Sequence, residues 1–121
     1  MSESSAQAAV RLAASQSGAR LWRNNIGAGK LENGSYIRWG LANDSSAVNA
    51  RVKSGDLIGI RPVLITPEHV GRTLGVFVSR EVKHPGWRFH PNDEREAAQQ
   101  RWIDLVNSLG GDAAFTTGEW V

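Results

Sequence analysis

Asp56, Glu81 and Lys83 have the residue types and the spacing for metal-assisted or acid–base chemistry. Glu81 and Lys83 flank Val82 at the end of a strand-like run, residues 73–83 (TLGVFVSREVK). Side chains two apart on a strand share a face. The carboxylate and the ammonium therefore project together, and Val82 packs on the opposite face. Taken alone, Glu-x-Lys is an ordinary surface ion pair. Asp56 changes the reading. It opens the preceding strand-like run, residues 56–65 (DLIGIRPVLI), just after Gly55. It lies about as far from the middle of the connection as Glu81 does, so an antiparallel hairpin would set the two carboxylates side by side. They would repel each other unless a cation lay between them. Mg²⁺ and Mn²⁺ favour such oxygen ligands, with water and a substrate phosphate completing the shell. A cation of this kind makes a nucleophile from water at neutral pH and polarises a phosphoryl oxygen. Lys83 beside it would orient the water or offset charge on the phosphate. The set suits hydrolysis of a phosphodiester.

The elements that must hold these residues follow from periodicity and turn chemistry. Residues 3–16 (ESSAQAAVRLAASQ) predict a helix, with Ala6, Ala9, Val10, Ala13 and Ala14 at helical spacing and Ser2 as its N-cap. Residues 19–23 and 36–39 predict short strands. The Asn- and Gly-rich stretch 24–35 and the polar stretch 40–55 predict loops. Pro62 predicts an edge or a bend within the run 56–65. Residues 73–83 predict the best strand of the chain. Residues 94–109 predict a helix, with Ala98, Trp102, Leu105, Val106 and Leu109 on one stripe, stopped by Gly110 and Gly111. Residues 113–117 predict a final short strand. The expected fold class is α/β: a small mixed β-sheet flanked by helices, in the order of about α-β-β-β-α-β. A single domain over residues 1–121 is expected.

Composition bounds the function. At 121 residues the chain is too short for a kinase, a TIM barrel or a full dinucleotide-binding enzyme, yet long enough for a real core. It contains no cysteine, which excludes disulfides and Cys-based zinc sites. Neither a run long and apolar enough to span a membrane nor a basic-then-apolar leader is visible. No membrane partner and a cytoplasmic location are the expectations. The net charge is only +2, but its distribution is uneven. Residues 11–39 hold Arg11, Arg20, Arg23, Lys30 and Arg38 against Glu32, a pattern that favours phosphate contact. The candidate DNA contacts are Arg23, Asn24, Asn25, Lys30, Arg38 and Lys53. The glycines of the 24–35 loop expose backbone amides that suit phosphates, although the P-loop signature is missing. His69, His84 and His90 have no metal-type spacing and read as loop residues. There is no G-x-S-x-G for a serine hydrolase.

Asp56, followed after 24 residues by Glu81-x-Lys83 and then by a helix carrying Gln, resembles the PD-(D/E)XK nuclease superfamily. More narrowly, the chain resembles the VRR-NUC domain. The matching pieces are Glu3 on a first helix, Leu21-Trp22-Arg23-Asn24-Asn25-x-Gly27, Gly55-Asp56-Leu57-Ile58-Gly59 and Phe77-Val78-Ser79-Arg80-Glu81-Val82-Lys83. Ala98-Gln99-x-x-Trp102-Ile103 and Leu109-Gly110-Gly111 complete them, so the likeness runs through nearly the whole chain. It implies a restriction-endonuclease-like core. It implies Asp56, Glu81 and the backbone carbonyl of Val82 as ligands of Mg²⁺ or Mn²⁺, with Lys83 as the catalytic lysine. It also implies that Glu3 reaches the metal, directly or through water, and that Gln99 approaches from the second helix. The residues themselves leave Gln100 as the alternative to Gln99.

The function this resemblance implies is a metal-dependent DNA endonuclease. Small standalone members resemble phage enzymes that act as homodimers on branched DNA such as the Holliday junction, because one active site per chain must cut two strands. The competing readings are a flap or nicking nuclease and a non-catalytic nucleic-acid-binding domain on the same fold. A structural or interaction protein of a virus or mobile element is a further one.

Overall fold

The computed structural model describes residues 2–120. Helix α1 (Glu3–Gln16) forms on the alanine-rich stretch as expected, with the Ser2 hydroxyl accepting from the Ser5 N–H. It packs on β1 (Arg20–Arg23), where the Arg11 guanidinium donates to the Leu21 carbonyl. β2 (Gly27–Lys30) and β3 (Tyr36–Trp39) form an antiparallel hairpin with Gly27 opposite Trp39. A short helix α2 (Ser46–Arg51) follows, capped by Ser45, and then β4 (Leu57–Ile60), which pairs with β1. A single 3₁₀ turn, Pro67–His69, precedes β5 (Val78–Val82). Helix α3 (Glu94–Ser108) then crosses over to β6 (Asp112–Thr116), which runs parallel to β5 with Glu81 opposite Phe115. The described residues are mixed α/β, and no helix among them is long and apolar enough to cross a membrane.

The chain divides into two compact units, Met1–Gly59 and Ile60–Val121. In the second unit the β5–α3–β6 crossover is the organising motif, as a parallel pair requires. The core there is Ile103 and Val106 of α3 against Ala113 of β6, and Val106 is fully buried. Asp93 caps α3 by accepting from the Glu96 N–H. At the far end Gly110 adopts a positive φ of 91° and stops the helix. A side chain at Gly111 would press on Val106 and on the Phe77 carbonyl, so only glycine lets the chain turn this tightly into β6. Asn107 completes the join by exchanging hydrogen bonds with the backbone of Ala113.

Five expectations are corrected. The run 73–83 is a strand only over Val78–Val82, the length that β6 can pair. The run 56–65 is a strand only over Leu57–Ile60, since Pro62 lacks the N–H that a continued ladder needs. The antiparallel hairpin between these two runs is replaced by the β1–β4 and β5–β6 ladders. Val82 is 65% exposed rather than packed. The expected loops 24–35 and 40–55 also contain β2 and α2.

Candidate active site

One face of β5 carries Ser79, Glu81 and Lys83, and α3 meets that face residue by residue. The Trp102 indole N–H donates to the Ser79 hydroxyl at 2.9 Å. The Gln99 amide N–H donates to Glu81 Oε1 at 2.9 Å. Lys83 Nζ donates to Gln99 Oε1 at 2.8 Å and lies 3.7 Å from Glu81 Oε1. Ascending the strand in steps of two matches descending the helix in steps of about one turn. Gln99 therefore bridges a carboxylate and an ammonium, and both ends of its amide are used. Gln100 is turned elsewhere, donating to Asp104 on its own helix.

The ammonium is confined. The Lys83 side chain is only 17% exposed, against 39% for Glu81. Its Nζ lies 5.7 Å from the ring centre of Trp87 and 5.9 Å from that of Phe115, within range for cation–π attraction. Trp87, Phe89 and Phe115 pack on one another, with ring centres 4.7 to 6.3 Å apart. The loop that delivers Trp87 is fastened by Glu96. This carboxylate is only 8% exposed and accepts from the backbone N–H and the ring Nδ1 of His90. Burial would raise its pKa. The His90 backbone and ring, with the nearby Trp87 indole, outweigh that and lower it. The buried Trp87 Nε1 itself falls short of a proper hydrogen bond, although it faces the carboxylate closely enough to favour its charged form.

The carboxylate of Glu81 is suited to a hard divalent cation. Its hydrogen bond and its ion pair both fall on Oε1, which leaves Oε2 to solvent or a ligand. No group of three or more acidic or histidine side chains gathers among the described residues. Mg²⁺ does not need one, since one or two carboxylates, water and a substrate phosphate suffice. Val82 ends β5 opposite Thr116, and the Lys83 N–H continues that ladder to the Thr116 carbonyl.

The remaining residues singled out from the sequence lie in the first unit. Asp56 is exposed and lines a cavity of about 520 Å³ together with Arg38, Asn43, Asn49, Lys53 and Ser54. Its backbone carbonyl accepts from the Asn24 N–H. The Asn24 side chain is also architectural, donating to Ser54 Oγ and to the Gly55 carbonyl. Arg38 is held by the buried Asn43, through both its side-chain and its backbone oxygen. Lys53 donates to Asn49. Arg23 lines a smaller cavity with Arg11, Ser4 and Gln7. Asn25 and Lys30 are exposed, and Glu3 is exposed in the first turn of α1. His84 is exposed, with its ring nitrogen at the Pro85 carbonyl.

Sequence reasoning did not single out Ser79, Arg95, Phe115 or Asn43 as members of these groups. Ser79 was within reach, being two residues before Glu81 on the same strand face. Arg95 was too, being one helical turn before Gln99. Asn43 and Phe115 carry no such local signal, because only the fold brings them in. No protein-family model, curated protein or solved structure matches the chain.

Proposed function

We propose that the chain is a Mg²⁺- or Mn²⁺-dependent endodeoxyribonuclease with a restriction-endonuclease-like core of the PD-(D/E)XK, VRR-NUC type. In this reading it acts as a homodimer on branched DNA such as a Holliday junction. The observation that carries the reading is the Glu81–Gln99–Lys83 cluster: an oxygen donor, a bridging amide and a confined ammonium on one strand face. An ion pair serving only stability has no need of a half-buried amide bonded to both partners, whereas metal-assisted phosphodiester hydrolysis is served by a carboxylate and a cationic side chain at fixed separation.

Glu81 would hold the divalent cation, with the Val82 carbonyl beside it. Asp56 and Glu3 are the further ligands that the family resemblance implies. When bound, the cation supplies Lewis-acid stabilisation of the phosphoryl oxygens and a better nucleophile. Gln99 fixes the Glu81 carboxylate and the Lys83 ammonium in one geometry. Lys83 holds the attacking water and offsets negative charge that builds on the phosphate. Water adds to phosphorus, the bond to the 3′ oxygen breaks, and the products carry a 5′-phosphate and a 3′-hydroxyl. The aromatic wall of Trp87 and Phe115 limits solvent around Lys83.

A second copy of the chain supplies the second cut that a symmetric junction requires. The stretch 63–76 supports this, since Val63, Leu64, Ile65, Val70, Leu74 and Val76 are all about half exposed or more. Exposed apolar side chains gathered in one segment in this way are suited to a protein partner. The test is cleavage of labelled four-way junction, 5′ flap and linear duplex by wild type and Asp56→Asn, with Mn²⁺, Mg²⁺ or EDTA. Metal-dependent cutting that Asp56→Asn abolishes supports the nuclease, and paired symmetric nicks in the junction support the dimer. A folded, metal-supplied protein that cuts none of the three substrates refutes it.

A further inference from the structure

Beside the Glu81–Gln99 contact the second unit opens into a cavity of about 370 Å³, lined by Ser79, Glu81, Arg95, Ala98, Gln99 and Trp102. Its walls are already fixed. Ser79 and Trp102 are bonded to each other, and Glu81 and Gln99 likewise. Arg95 is the exception. Its side chain has no hydrogen-bond or ion-pair partner among the described residues, and it stands exposed at the mouth of the cavity. Arg80 and Arg38, by contrast, are committed. Arg80 pairs with Asp112 and lies over Trp120, and Arg38 is held by Asn43.

Helical spacing explains the placement. Arg95 precedes Gln99 by four residues and Trp102 by seven, so all three lie on one stripe of α3. Trp102 and Gln99 answer Ser79 and Glu81 on the strand, and Arg95 extends that row to the rim. We infer that Arg95 is a substrate-positioning residue. It takes a phosphate of the DNA backbone next to the one being cut, while Ala98 and the Trp102 ring give the intervening sugar an apolar wall. A guanidinium suits this role because its planar fork matches two phosphate oxygens and it carries its charge at every working pH. Within the second unit, Lys83 and Arg95 set two cations beside the carboxylate of Glu81, which favours an anionic ligand. The inference rests on the nuclease reading for its substrate, but not for its geometry.

The test compares wild type, Arg95→Ala, Arg95→Lys and Arg101→Ala. Arg101 is exposed on the same helix and does not line the cavity. Cleavage kinetics on the junction are measured with Mn²⁺, and DNA binding is measured in EDTA over a salt series. Arg95→Ala should raise KM about tenfold with kcat nearly unchanged, the signature of lost uniform binding. The slope of log affinity against log salt should fall by about one phosphate contact. Arg95→Lys should recover the salt slope but only part of KM, and Arg101→Ala should match wild type. An Arg95→Ala protein with wild-type KM and an unchanged salt slope overturns the assignment. So does a loss confined to kcat. If wild type binds DNA but cuts none, the nuclease reading fails, and the salt slope in EDTA still decides for or against Arg95.

Discussion

The surroundings of Asn43 in the first unit and of Gln99 in the second use the same chemical group for different ends. Asn43 is 3% exposed. Its amide donates to the carbonyls of Gly27 and Trp39 while its oxygen accepts from Arg38. Two of its partners are backbone, so the network fixes the β2–β3 hairpin. Gln99 bonds two charged side chains and no backbone through its amide. Those side chains are partly exposed, and one carboxylate oxygen is left over. A side-chain amide tied to backbone carbonyls holds a fold. One tied between a carboxylate and an ammonium holds reactive groups at a set distance. Changes around Gln99 should therefore cost activity and spare stability, and changes at Asn43 should do the reverse.

The largest effect belongs to Lys83. Lys83→Ala should slow cutting by about 10²- to 10⁴-fold while DNA binding and the melting temperature stay near wild type. Cutting at the wild-type rate would remove Lys83 from the chemistry. Gln99→Ala should slow cutting by about ten- to a hundredfold, as expected when the partner of a metal-binding carboxylate is lost. Gln100→Ala serves as the control, because its contact is with Asp104. Equal losses at both positions would mean that the bridge has no special role. In the first unit Asn43→Ala strips partners from two part-buried carbonyls and an arginine. Denaturant unfolding should show a loss of about 2–3 kcal/mol. A stability change within error would break the contrast from the other side.

The smallest effect concerns pH. Folding lowers the pKa of Glu96, so the folded state holds its carboxylate charged more firmly than the unfolded chain does. That contribution is fully present above glutamate's ordinary value of 4.5 and is lost as pH falls through the lowered folded value. Thermal melts of wild type should drop in that acid window. Glu96→Gln should be less stable at neutral pH and show a shallower acid decline. A parallel decline in both proteins would contradict the role given to the His90–Glu96 pair.

Legibility from sequence followed how local each cause is. Helices α1 and α3 were readable because their apolar stripes, and for α1 the Ser2 cap, are local to the elements themselves. Strands β1, β3 and β6 were readable from short apolar runs. β2 (GAGK) was not, since nothing in it favours a strand. It is one because it pairs with β3, with Gly27 so close under the Trp39 ring that a Cβ would collide with it. α2 is six residues of mixed polarity and hides in a polar stretch. The length of β5 was overread because the apolar residues 74–76 look like strand but have no partner strand. In the site, the shared face of Glu81 and Lys83 follows from the period of two. The choice of Gln99 over Gln100 came from the family resemblance, and the structure places Gln99 against both. Phe115 beside Lys83 was beyond reach, because the parallel pairing of β5 with β6 brings it there, and Trp87 packs on its ring.

Glu81, Gln99 and Lys83 are proposed to form the site of a metal-dependent DNA hydrolase. The most direct measurement is single-turnover cleavage of a labelled four-way junction by wild type and Glu81→Gln, each in Mn²⁺ and in EDTA, with folding checked by circular dichroism. Wild type should cut in Mn²⁺ only, and a folded Glu81→Gln protein in neither condition. Equal cutting by Glu81→Gln, or cutting that persists in EDTA, would contradict the proposed site.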